Sequence, residues 1–122
     1  MRIRTAPAAS AILAMLGTVA AHAQDAAAGK QVFAQCAACH SINGTNGIGP
    51  SLKGVVGRKA GTFPGFRYSR AMKNAGISWT VQNLSAYIAN PQGVVPGNLM
   101  PFSGLPQAKE RAELVAYLET LK

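Results

Sequence analysis

The sequence predicts an all-α domain whose helices enclose a bound group. No window shows the alternation of apolar and polar residues that marks a strand. Two segments repeat apolar residues at the helical period, while the stretches between helices are too long and too rich in glycine and proline for a tight bundle. Long loops in a small domain usually wrap around something they bind.

The chain opens with Arg2 and Arg4, continues through an apolar run at 11–20 and reaches Ala21-His22-Ala23, a small-x-small sequence of the kind signal peptidase reads. The apolar run is shorter than the roughly 20 residues that cross a bilayer, so residues 1–23 are expected to be a cleaved secretory leader. Residues 24–122 would then form one domain, exported to the periplasm.

Within that domain, an alanine-rich helix is expected from Asp25, as N-cap, to about Cys39, with Val32 and Phe33 as its bulky apolar members. Ser41 to Gly65 is loop, broken by repeated glycines and by Pro50 and Pro64. A short helical turn covers Ser69 to Asn74. Ser78 or Thr80 caps the next helix, which turns Val81, Leu84 and Ile88 to one face with Tyr87 beside them and stops at Asn90-Pro91. Gln92 to Leu105 is again loop. Pro106 is a suitable first residue for a last helix running to the end, with Leu114, Tyr117, Leu118 and Leu121 as an amphipathic stripe.

Without residues 1–23 the chain keeps ten basic residues against four acidic ones, a net charge of +6. Its few aromatics do not alternate with the basic residues and no nucleic-acid motif is present, so nucleic acid is not an expected partner. A domain of this length buries only about two-thirds of its unfolded surface, and a cofactor in its core would add to what it can bury.

The chemistry is concentrated in Cys36-Ala37-Ala38-Cys39-His40, which holds both cysteines of the chain. A disulfide at this spacing closes too small a loop to restrict the unfolded chain much. A thioredoxin-like dithiol belongs beside a βαβ unit, and no strand is predicted. A structural zinc needs four ligands, and beyond the leader only Cys36, Cys39 and His40 are of cysteine or histidine type. C-x-x-C-H spacing instead suits a c-type haem: two thiols one helical turn apart add to the two vinyl groups, and the following imidazole reaches the iron.

With His40 as fifth ligand, the sixth is Met72, Met100 or an open position. Met100 lies in a loop, Gly97-Asn98-Leu99-Met100-Pro101-Phe102, with few competing side chains. A thioether opposite an imidazole raises the reduction potential and closes the iron to small molecules, which suits electron transfer.

These residues resemble the class I cytochromes c, in particular the soluble monohaem forms shared by mitochondria and many bacteria. The likeness runs through Gly49-Pro50-Ser51-Leu52, Gly57-Arg58-Lys59, Pro64-Gly65-Phe66-Arg67-Tyr68, Gly76-Ile77-Ser78-Trp79, Tyr87-Ile88-Ala89-Asn90-Pro91, the Met100 loop and Glu110 to Leu118. The resemblance implies a small cytochrome c fold, helices and long loops around one covalent haem c held by Cys36 and Cys39, with His40 and Met100 as axial ligands of the iron. It implies that the Pro50 carbonyl accepts the His40 N–H, that Tyr68 and Trp79 bond a haem propionate with Arg58 near its charge, and that Tyr87 reaches the Met100 sulfur. It further implies that Gly29 and Phe33 pack on Leu114 and Tyr117. The chain departs from the family pattern at Met72, where asparagine is common, and at Asn98, where threonine is common.

The implied function is a periplasmic one-electron carrier, not an enzyme, cycling between Fe(II) and Fe(III). It would act as a monomer between a respiratory or dehydrogenase donor and an oxidase or reductase, touching membrane-bound complexes only transiently. The alternatives are a dedicated haem subunit of a periplasmic dehydrogenase and a haem peroxidase or gas binder, the last requiring an open sixth position. Around the expected haem edge the usual lysines are replaced by Gln35, Gln92, Gly93, Leu99, Pro106 and Gln107, and the basic residues gather at Arg58, Lys59, Arg67, Arg70 and Lys73. The docking face is therefore expected to be nearly neutral, with Val94, Val95 and Leu99 as its apolar members.

Overall fold

The computed structural model describes residues 21–122, with side chains described from Asp25 onward. Positions 1–20 of the expected leader lie outside the described residues. Five helices appear among the described residues: α1 (Ala21–Phe33), α2 (Arg70–Lys73), α3 (Val81–Ala89), α4 (Pro91–Val94) and α5 (Ala108–Glu119). The nearest approach to a strand among them is an isolated antiparallel bridge between Lys59 and Ser78.

Helix α1 is already formed at Ala21, the first described residue, so Asp25 is inside it rather than at its cap. The alanine-rich sequence explains the extension, alanine being the strongest helix former. After Phe33 the chain tightens into turns: the Cys36 N–H donates to Phe33 O at 2.8 Å and the His40 N–H to Cys36 O at 3.0 Å. The cysteines therefore sit on successive turns beyond the α-helix, still one turn apart.

The domain is closed by the crossing of α1 over α5. Gly29 makes the crossing possible, because a Cβ there would overlap the Glu113 carbonyl and press on Tyr117 Cβ. Phe33 packs on Tyr117 with ring centroids 5.4 Å apart, and Leu114 and Leu118 are buried beneath them. The expected pairing of Gly29 and Phe33 with the last helix is present.

Helix α3 is capped by Thr80, whose hydroxyl accepts from the Asn83 N–H at 3.1 Å. Leu84, Tyr87 and Ile88 are buried, but Val81, predicted on the same face, is 39% exposed. It occupies the first helical position, where the chain has not yet turned onto the core. Asn90 ends α3 and caps a further turn, α4, accepting from the Gly93 N–H at 3.1 Å, with Pro91 at its first position. The Gln92 to Leu105 loop thus contains a helical turn that the proline and glycine content concealed. Helix α5 starts at Ala108, not Pro106, since the Leu105 and Pro106 carbonyls accept Arg111 Nη1 at 2.8 Å and are held outside the helix. Helix α2 matches expectation, with Ser69 accepting from the Met72 N–H at 3.1 Å.

Candidate haem site

The elements surround a cavity of about 390 Å³. Cys36, Cys39, His40, Gly49 and Pro50 line one wall, Tyr87, Asn98 and Met100 another, and Arg58, Tyr68 and Trp79 line it as well. The structure therefore gathers every site residue singled out in the sequence around one space.

On the first wall, His40 Nδ1 lies 2.7 Å from the Pro50 carbonyl. A carbonyl can only accept, so Nδ1 carries the proton and Nε2 keeps its lone pair for a metal. Gly49 bounds the ring on the side, where a Cβ would stand 2.5 Å from His40 Cε1 and 2.7 Å from Nδ1. Glycine at 49 is thus a requirement of the imidazole plane.

The loop carrying Pro50 is held by a polar network that sequence reading missed. Ser51 is fully buried, and its Oγ accepts from the Gly44 N–H at 2.9 Å and the Lys53 N–H at 3.2 Å. The Ser51 N–H donates to Asn46 Oδ1 at 3.1 Å, and Asn46 Nδ2 donates to the Pro64 carbonyl at 2.9 Å. Serines and asparagines in a loop are ordinary, and nothing in their spacing marks these two.

The Arg58 guanidinium donates to the Ser51 and Lys53 carbonyls, each at 3.0 Å, and lies 4.6 Å from the centre of the Phe63 ring. Burial pushes its pKa down and the nearby Tyr68 opposes that shift, but an arginine remains charged. Its cation is therefore fixed by backbone at the cavity wall. Tyr68 Oη accepts from the Phe63 N–H at 3.1 Å, which leaves its own proton free to donate. Trp79 is buried, with its ring 4.9 Å from that of Tyr87.

On the other wall, Tyr87 Oη donates toward Met100 Sδ at 3.9 Å. Burial pushes the Tyr87 phenol up to about 12, so it stays a neutral donor at any ordinary pH. Asn98, 5% exposed, bonds the backbone on both sides of itself. Met72 also lines the cavity, from α2.

A haem fits this donor set: two thiols on adjacent turns, a pre-oriented imidazole and a thioether face one space, with a fixed cation and hydroxyl donors for acidic groups. Two expectations about the rim need correction. Val95 is 3% exposed and belongs to the core, pulled in by its amide's bond to Pro91 O at 2.9 Å, and Val94 is half-buried. Leu99, 80% exposed, borders the cavity as expected, and it is joined there by Ile48, 76% exposed.

Comparison with known proteins agrees with this chemistry. The family model described as Cytochrome c matches residues 26–122. A "Cytochrome c-type cyt cy" of Rhodobacter capsulatus is 50% identical over 98 residues, covering 80% of this chain and 49% of that protein, so the chain spans about half the length of that relative. A cytochrome c2 of Rhodomicrobium vannielii is 48% identical over 100 residues, covering 80% of each. Among solved structures, cytochrome cH from Methylobacterium extorquens superposes with a TM-score of 0.77 at 45% identity, over 79% of this chain and 98% of that one.

Proposed function

The chain belongs to the cytochrome c family, and on that premise we propose that it is an exported one-electron shuttle with His40 and Met100 as the axial ligands of its iron. At the level the family supports, it is a haem c protein that carries electrons rather than an enzyme. The finer reading is supported above all by one observation: the imidazole whose Nδ1 is tied to Pro50 O at 2.7 Å shares its cavity with the Met100 sulfur.

When bound, the haem supplies reversible one-electron chemistry at its iron. Cys36 and Cys39 would hold it through thioethers, which prevents its loss during repeated turnover. The Pro50 carbonyl orients His40 and strengthens it as a donor. Met100 would offer the iron a soft thioether ligand and so exclude small molecules. Arg58, Tyr68 and Trp79 would neutralise and bond propionate, so that acidic groups can be buried beside a low-dielectric core.

The signal peptide at 1–23 and periplasmic location are part of this proposal, supported by the basic and apolar opening of the chain. So are the roles as monomer and as link between a respiratory or dehydrogenase donor and an oxidase or reductase. A second reading, a haem subunit held by one dehydrogenase, is favoured by the exposed apolar Ile48 and Leu99 at the cavity rim. Co-purification of a stable complex from the periplasm would select it over a free shuttle.

The test of ligation is spectroscopic. The ferric holoprotein should show a weak iron–sulfur absorption band at the red edge of the visible spectrum, absent from a Met100→Ala variant. A wild-type protein without the band would overturn methionine ligation and with it the shuttle reading.

A further inference from the structure

We propose that Asn98 and Gln92 form a side-chain clamp that keeps Met100 on the iron and sets how readily an outside ligand replaces it. The proposal rests on Met100 being the sixth ligand. Neither side chain touches the Met100 sulfur; both act as positioning residues through the backbone that carries it.

The geometry is local and complete. Asn98 Oδ1 accepts from the Met100 N–H at 3.0 Å, a turn closed by a side chain, while Asn98 Nδ2 donates to the Val95 carbonyl at 2.9 Å. The Asn98 N–H donates to the same carbonyl at 3.1 Å. Gln92, from α4, grips the other side of the segment: its Nε2 donates to the Asn98 carbonyl at 2.9 Å and its Oε1 accepts from the Gly97 N–H at 3.0 Å. Every polar atom of the two side-chain amide groups except one N–H on each is thus matched to a complementary backbone partner. The helix that carries Gln92 is anchored by Pro91, which is fully buried, and by Asn90, which caps its N-terminus.

Met100 itself has far less to hold it. Its one side-chain hydrogen bond is the long contact with Tyr87 at 3.9 Å, and its neighbour Leu99 is exposed. Releasing the sulfur means moving the Gly97 to Met100 segment away from α4. The first bonds such a motion breaks are those made by Asn98 and Gln92. An incoming ligand binds in proportion to the fraction of molecules with the site open, so weakening the clamp raises its apparent affinity and association rate.

The experiment measures imidazole binding to the ferric holoprotein by stopped flow, together with the iron–sulfur band and the denaturation midpoint. Gln92 is exposed and makes only these two bonds, so Gln92→Ala should lower the midpoint only slightly, by no more than about a fivefold change in the folding equilibrium. It should accelerate imidazole association about fivefold, the scale of one net hydrogen bond. Asn98→Ala should accelerate it about tenfold or more, having lost both the turn and the link to Val95. Asn98→Ser, which can still accept from the Met100 N–H but cannot reach Val95, should fall between Asn98→Ala and wild type. Gln92→Ala with wild-type imidazole kinetics, in a protein that shows the band, overturns the clamp even if Asn98→Ala fails to fold. A wild-type protein lacking the band removes Met100 ligation first, and the clamp falls with it.

Discussion

The Tyr87 hydroxyl points at the Met100 sulfur across 3.9 Å, from a buried position on α3 to a loop that follows α4. With Met100 on the iron as proposed, such a bond would withdraw electron density from the thioether, making it a poorer donor to Fe(III) and so favouring Fe(II). Tyr87→Phe should lower the reduction potential by on the order of 20–40 mV, the differential worth of a weak hydrogen bond converted for one electron. Voltammetry of the two proteins side by side gives the answer; an unchanged or raised potential would show that the contact does not tune the sulfur.

The same phenol makes stability depend on alkaline pH. Its pKa is raised from 10.0 to about 12 in the fold, so above pH 10 the unfolded chain holds fewer protons at this residue than the folded one. The stabilisation it contributes is present below about pH 10 and is lost as pH rises through about 12. Denaturation of wild type and Tyr87→Phe at a series of pH values should show wild type losing stability relative to the variant over that window. Parallel curves would contradict it.

Gly49 has no room for a side chain, since a Cβ would stand 2.5 Å from His40 Cε1. Gly49→Ala should tilt the imidazole off its bond to Pro50, destabilising the holoprotein by about 1–3 kcal/mol and disturbing the low-spin spectrum. Guanidinium titration followed in the haem absorption region measures both; a variant with wild-type spectrum and midpoint would refute the packing argument.

At the helix crossing the obstruction is backbone. A Cβ on Gly29 would collide with the Glu113 carbonyl, which cannot swing aside as a side chain can. Gly29→Val should therefore cost about 3 kcal/mol or more, beyond the usual range for a small overpacking, because two helices must separate. Thermal melting followed by far-ultraviolet circular dichroism should show this as a large drop in midpoint, and a drop of only a degree or two would contradict the close crossing.

Leu99 and Ile48 stand exposed at the rim of the cavity, the face on which we propose that a redox partner docks. On that proposal apolar contact rather than charge carries the encounter, so electron transfer with the physiological partner should change little between low and high ionic strength. Leu99→Lys should slow it by roughly tenfold, the scale of losing one well-buried interface contact. A steep fall with added salt in the wild type would instead assign docking to the cluster of Lys59, Arg67, Arg70 and Lys73.

Much of this site was legible before any fold was known. Cys36, Cys39 and His40 are adjacent in the chain, and their chemistry depends on spacing along one helical turn, so a local reading suffices. The stripe of Leu114, Tyr117 and Leu118 and the caps at Ser69 and Thr80 are local in the same sense. The errors were at boundaries set by distant or side-chain contacts. Asp25 lost its role as cap to a helix already formed at Ala21, Pro106 was held outside α5 by Arg111, Val81 was exposed although expected on the buried face, and Val95 was buried although expected on the docking face.

The sequence by itself determined the chemistry of the protein: which atoms can form thioethers, which imidazole follows them, and that the helices enclose a group. Tertiary structure decided what holds those atoms in place. The buried Ser51 with Asn46, the bare Gly49 against His40, the Arg58 cation pinned to two carbonyls and the grip of Gln92 on Asn98 are made across irregular loops, between residues that no helical or strand period relates. Covalent and helical propensities act over a few residues and can be read in order. Packing and hydrogen bonding act through space, and their partners exist only once the chain has closed on itself.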